Sequence, residues 1–153
     1  KNDPVMTEEG NNTIVKEGQG QPGENLGGDT MIEPDWNRVA TVKKNYPDML
    51  IPGYVPEGYE FKELQVEVTE AFSSFTYIYQ EGDKLVKIVQ LKGEGMKVIK
   101  NYDYTFETGD GIEVSLKDDE EKSANFFIGS DLCVIVGNLS DMEIGKIVDS
   151  LER

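Results

Sequence analysis

The sequence contains no histidine and one cysteine, Cys133, among its 153 residues. Without histidine there is no Ser-His-Asp or Cys-His nucleophilic site and no histidine-ligated zinc. A lone cysteine excludes an internal disulfide and gives no metal-binding pattern. Its setting, Leu132-Cys133-Val134-Ile135-Val136, marks it as a small buried hydrophobe rather than a reactive thiol. Basic residues are scarce, 15 against 30 acidic ones for a formal net charge of −15. Nucleic acid and anionic membrane surfaces require clustered Lys and Arg, and no basic run exists here. The acidity reads as a well-solvated surface. No apolar run approaches the ~20 residues of a spanning helix, and no signal peptide or lipobox is visible.

Apolar residues are also unevenly spread. From Lys1 to Thr30 they are Val5, Met6, Ile14, Val15 and Leu26, amid Gly, Asn, Gln, Glu and Asp. Such a segment buries too little surface to offset its chain entropy. Residues 1–33 are therefore expected to be a disordered or loosely ordered linker, and residues 34–153 a single domain. Gly18-Gln19-Gly20-Gln21-Pro22-Gly23 matches the spacing of a dinucleotide-binding loop, but no buried strand precedes it and Pro22 blocks a following helix. Asn11-Asn12-Thr13 and Asn138-Leu139-Ser140 are formal glycosylation sequons, relevant only in a eukaryotic secretory route. The chain starts at Lys1 rather than Met, which is read as a processed or trimmed product with any anchor upstream.

The ordered part is organised around residues 75–91. Phe75, Tyr77 and Tyr79 alternate with Thr76, Ile78 and Gln80 before Gly82-Asp83, the pattern of a β-hairpin with a primed two-residue turn. Counting from that turn predicts Glu81 opposite Lys84, Tyr79 opposite Val86, Tyr77 opposite Ile88 and Phe75 opposite Gln90. Upstream, Asp35 caps a short helix running to about Lys44, its apolar side being Trp36, Val39, Ala40, Val42 and Tyr46, and Pro47 ends it. Trp36 reads as an anchor on the sheet rather than a ligand platform. Residues 50–59 alternate Pro and Gly with apolar anchors, an extended segment plugging one end of the core.

Residues 61–68 alternate as a half-buried strand. Met96, Val98, Tyr102, Tyr104 and Phe106 all fall on even positions, predicting one long strand or two. The turn around Thr108-Gly109-Asp110-Gly111 is expected to have an odd number of residues and a left-handed glycine, with Phe106 opposite Ile112. Asp118-Asp119-Glu120-Glu121 reads as a solvated hairpin tip, since the D-x-D-x-D-G calcium pattern is absent. Strands 123–128 and 132–136 flank Gly129-Ser130, and the second, apolar on both faces, is expected to be central and covered on both sides. Ser140 with Glu143 forms a capping box, and Ile144, Ile147, Val148 and Leu151 make an apolar helical stripe. The fold class expected is α+β: a strongly curved, half-barrel-like antiparallel sheet of six to seven strands, with a short N-terminal helix and a C-terminal helix packed on the sheet.

Pro52-Gly53-Tyr54-Val55-Pro56-Glu57-Gly58-Tyr59-Glu60, the strand Tyr77-Ile78-Tyr79-Gln80, and Gly137-Asn138-Leu139-Ser140 followed by a helix ending Val148-Asp149-Ser150-Leu151 resemble the domain of unknown function 4367 family. The resemblance covers about residues 36–152 and carries no catalytic motif. It implies an extracytoplasmic, membrane-anchored ectodomain of a Gram-positive bacterium, some members being similar to anti-sigma-type regulators, with residues 1 to about 33 as a juxtamembrane stalk. The expected function is non-catalytic sensing or binding, with an unknown protein or a small amphipathic ligand as partner and no cofactor, no metal and no catalytic residues. The alternative is a lipid or lipopeptide carrier with an apolar cleft between sheet and helix. A carboxylate-dependent hydrolase is the remaining one, with two carboxylates of shifted pKa in a cleft.

Overall fold

The computed structural model describes residues 29–98 and 100–151. The linker expectation for residues 1–28, the decoy glycine loop and the Asn11 sequon lie outside the described residues. The described chain forms one open antiparallel sheet of eight strands, β1 (Asp29–Glu33), β2 (Glu60–Val68), β3 (Phe72–Glu81), β4 (Lys84–Gly93), β5 (Tyr104–Glu107), β6 (Glu113–Asp118), β7 (Lys122–Ile128) and β8 (Asp131–Val136). Two helices accompany it, α1 (Val39–Asn45), entered through a 3-10 turn at Trp36–Arg38, and α2 (Asp141–Ser150). The spatial order is β1-β2-β3-β4-β8-β7-β6-β5, two four-stranded meanders joined where β4 pairs with β8.

Eight strands replace the six to seven expected. The added one is β1, which pairs residue for residue with β2 from Asp29↔Val68 to Glu33↔Leu64, so Asp29–Glu33 belongs to the sheet rather than to a linker. Its sequence, with Met31 and Ile32 adjacent and no alternation, carries no strand signal; pairing to a strong neighbour supplies what local propensity does not. The long even-numbered run also needs correction. Residues 96–98 and 100–103 are not strand, and pairing is confined to Tyr104–Glu107. Their periodicity could not reveal that this stretch must carry the chain from the far end of β4 to the opposite margin of the sheet.

The hairpin register is as counted, from Glu81↔Lys84 to Phe75↔Gln90. Gly82 sits at φ 62°, where a Cβ would be strained, and the turn closes in two residues. The β5–β6 loop is odd, five residues long, with Gly111 at φ 86°. Phe106 therefore faces Val114 rather than Ile112, one pair further along on the same face. Strand β8 is central, with Cys133 and Ile135 buried towards the helices; on the opposite face Leu132 is buried but Val134 and Val136 are half-buried, so the strand is not covered on both sides as expected.

Pairing aligns one rank of side chains across the whole sheet: Glu33, Leu64, Tyr77, Ile88, Ile135, Ala124, Leu116 and Tyr104. The six interior members are essentially inaccessible, and the rank ends on a polar group at each margin. Ile144, Ile147 and Val148 of α2 join this core, as do Val39 and Val42 of α1 with Met49 and Leu50 after it. Ala40, expected on the buried side of α1, is exposed. Asp35 accepts from the Asn37 N–H, and Ser140 and Glu143 form the anticipated reciprocal cap. Residues 50–59 fill the space at the end of the core, Tyr54, Val55 and Tyr59 packing against it and Gly53 N–H reaching Ser150.

Candidate functional site

Three groupings of polar or aromatic side chains stand apart from the aliphatic core. The first lies at the seam between the meanders. Gln90 occupies a position on β4 that the alternation Val86, Ile88, Gln90 makes inward-facing, and it is buried. Its amide is used at both ends: the oxygen accepts from Leu50 N–H at 2.7 Å, and the nitrogen donates to the Asp48 carbonyl at 3.0 Å and to Asp131 Oδ2 at 2.9 Å. Asp131, at 2% exposure, also meets Lys92 Nζ at 3.3 Å, and Lys92 reaches the Asp48 carboxylate at 3.6 Å. Beside this group Tyr77 donates its hydroxyl to the Leu50 carbonyl at 2.8 Å. A buried carboxylate persists only when paired and hydrogen-bonded, as Asp131 is. The arrangement fastens irregular segment 48–50 to the sheet and β4 to β8.

The second grouping is aromatic. The Trp36 ring meets Phe61 edge-on, centroids 5.0 Å apart, and lies 6.2 Å from Tyr77 and 6.3 Å from Tyr79. Burial pushes the Tyr77 and Tyr79 hydroxyls well above the ordinary tyrosine range. Trp36 thus anchors the helical turn, as its sequence context indicated, while remaining 40% exposed.

The third grouping forms the β5 margin. Tyr104 donates to Asp141 Oδ1 at 2.8 Å, and burial, that hydrogen bond and the charges of Asp141, Asp118 and Asp103 push its hydroxyl up to about 12. Further along, Thr108 lies against Gly145, and Asp110 N–H reaches Asp149 Oδ2 at 3.1 Å. Residues 141, 145 and 149 recur every four positions, so this face of α2 runs along β5. Asp103 is held by the Asp118 N–H at 2.7 Å, which lowers its pKa, with Lys117 adding to the effect. Between Tyr102 and Glu121 eight carboxylates stand against one lysine, Lys117.

Among the described residues no group of three or more Cys, Asp or Glu is disposed to hold a metal ion. The acidic tip Asp118–Glu121 is the β6–β7 hairpin end, with Asp118 opposite Lys122. No residue type or spacing in the sequence marks a site residue. Gln90 was legible as a polar residue in an inward register, whereas Asp131, placed after a two-residue turn, carried no sign of burial. Comparison with protein-family models, with curated proteins and with solved structures gives no match to this chain.

Proposed function

We propose that this domain is a non-catalytic binding or sensing ectodomain of a membrane-anchored bacterial protein, of the anti-sigma-like kind that the resemblance of residues 52–60 to the domain of unknown function 4367 family implies. The observation that supports it is how the polar groups of the interior are employed. Gln90, Asp131, Lys92 and Tyr77 each bond to backbone or to one another to hold the two meanders and segment 48–50 together. A half-barrel-like curvature of the sheet belongs to the same reading.

The carrier alternative is weaker on packing grounds. Met49, Leu50, Ile144 and Ile147, all within 2% of complete burial, fill the layer between sheet and helices that an acyl chain would occupy. Opening it would forfeit close-packed contacts across the core.

The test is one of topology. Alkaline phosphatase, active only outside the cytoplasmic membrane, is fused after residue 153 of the full-length protein. Activity in intact cells is expected. An inactive fusion alongside an active cytoplasmic reporter at the same junction would remove the ectodomain reading.

A further inference from the structure

Strand β5 is one of the two margins of the sheet, and its residues Tyr104, Thr105 and Glu107 are exposed. Thr108 N–H donates to the Ile112 carbonyl at 2.9 Å in the register that places Phe106 opposite Val114 and Tyr104 opposite Leu116. Antiparallel pairs alternate, so Tyr104 and Phe106 turn their backbone groups to β6 while Thr105 and Glu107 turn theirs outward. At the start of the strand, Asp103 N–H donates to the Leu116 carbonyl, the one opposite Tyr104, and the Asp103 carboxylate is locked on Asp118 N–H. The free edge is therefore short and rigidly framed. Tyr102 and Tyr104 are among the exposed large side chains of the protein, and Met142, at the start of α2 beside Asp141, is the most exposed of them at 71%.

Charge decides what this edge accepts. A two-fold pairing of β5 with a second copy, centred on Thr105, would set Asp103 against Glu107 twice, and like charges directly opposite are destabilising. An incoming cationic strand meets Asp103 and Glu107, which share the face opposite Tyr104 and Phe106, with Lys117 beside Asp103. We propose that the β5 edge docks an extended peptide segment in which Lys or Arg alternates with apolar residues, adding a ninth strand beside Tyr104–Glu107. Its apolar side chains would lie on Tyr104 and Phe106, and its cations would face Asp103 and Glu107. This deepens the binding reading above by naming the partner chemistry. Four residues of edge give few backbone bonds, so affinity is modest and falls with salt.

The experiment titrates the 153-residue chain, at low salt, with a blocked nine-residue peptide alternating lysine with valine and threonine, followed by amide NMR shifts. Shifts concentrated at residues 103–108 and around 141–142 are expected. A peptide of the same sequence with its edge-facing amides N-methylated keeps the charge but cannot pair, and its affinity should drop by about tenfold. Thr105→Pro deletes an outward N–H at an edge position that tolerates proline, and should weaken binding comparably with an unchanged melting temperature. Glu107→Lys should weaken it several-fold and flatten the salt dependence. Absence of binding, equal affinity of the N-methylated peptide, shifts spread over all acidic loops, or peptide-independent dimerisation through β5 would each overturn the proposal. Since the assay is performed on purified protein, it is decided independently of the phosphatase fusion.

Discussion

The two meanders bury the same face of one sheet by different means. In β1–β4, one strand of five residues and three of nine or ten are covered by a short helix and the irregular segment 46–59, and the contacts are largely aromatic, Trp36, Tyr46, Phe61, Phe75, Tyr77 and Tyr79. In β5–β8, strands of four to seven residues lie under α2, and the contacts are mainly aliphatic, Val114, Leu116, Ile135, Ile144 and Ile147, with the Phe126 ring buried among them. An amphipathic helix satisfies its own backbone and needs only an apolar stripe to cover a sheet. An irregular cover leaves backbone groups unpaired, and these must find side-chain partners. Gln90 and the Tyr77 hydroxyl meet that need at Leu50 and Asp48, which is why buried polar side chains serve the first half and the seam.

Whether the halves are one cooperative unit is open to direct attack, because Trp36 is the only tryptophan and reports on the first half. Tyr77→Ala removes a buried ring and should cost about 3–5 kcal/mol, and Ile147→Ala in the second half about 2–5 kcal/mol. In urea, both should shift one transition seen identically by Trp36 fluorescence and by far-ultraviolet circular dichroism. A fluorescence midpoint indifferent to Ile147→Ala would mean that the meanders unfold separately.

The seam comes next in size. Asp131→Ala strips Gln90 and Lys92 of a buried partner and should destabilise by about 1–3 kcal/mol. If the seam couples the halves, the variant should also separate the fluorescence and dichroism midpoints; loss of stability with coincident curves would assign coupling to the β4–β8 ladder alone. Ser140→Ala breaks the capping box of α2 and should cost about 1 kcal/mol, measured as a fall in midpoint at constant slope.

The smallest effect is ionic and contrasts a buried pair with a margin residue. Tyr104 has a folded pKa raised to about 12 from 10.0. A raised pKa means that the folded state holds its proton longer, so the associated stability is complete below pH 10 and fades as pH climbs towards 12. Tyr77 and Tyr79 are displaced further by burial. Tyrosinate absorbance should therefore rise in two stages, with these two ionising only as the protein unfolds. Tyr104→Phe should leave the late stage intact and remove part of the earlier one.

Much of the fold was legible because strand alternation and turn chemistry are local. The 75–91 hairpin could be registered from Gly82-Asp83 alone, and the α2 cap and stripe from residues 140–151. What stayed hidden depended on partners distant in the chain. Strand β1 exists through β2, thirty residues on, and the placement of β8 against β4 depends on a connection whose length, not its pattern, carries it across the sheet. The β5 margin shows the same division. Its carboxylates and tyrosines are visible in sequence, but their alignment with Asp141 and Asp149 comes from α2 folding back over the strand.

By itself the sequence determined the chemistry excluded, the strand and helix segments of strong period, and which face of each is apolar, since all follow from residue types within a few positions. Only the tertiary structure decided the order of the strands, the burial of Asp131 beside Gln90, and which two strands, β1 and β5, form the margins of the sheet. Those depend on contacts between residues far apart in the chain, whose closure no local pattern encodes.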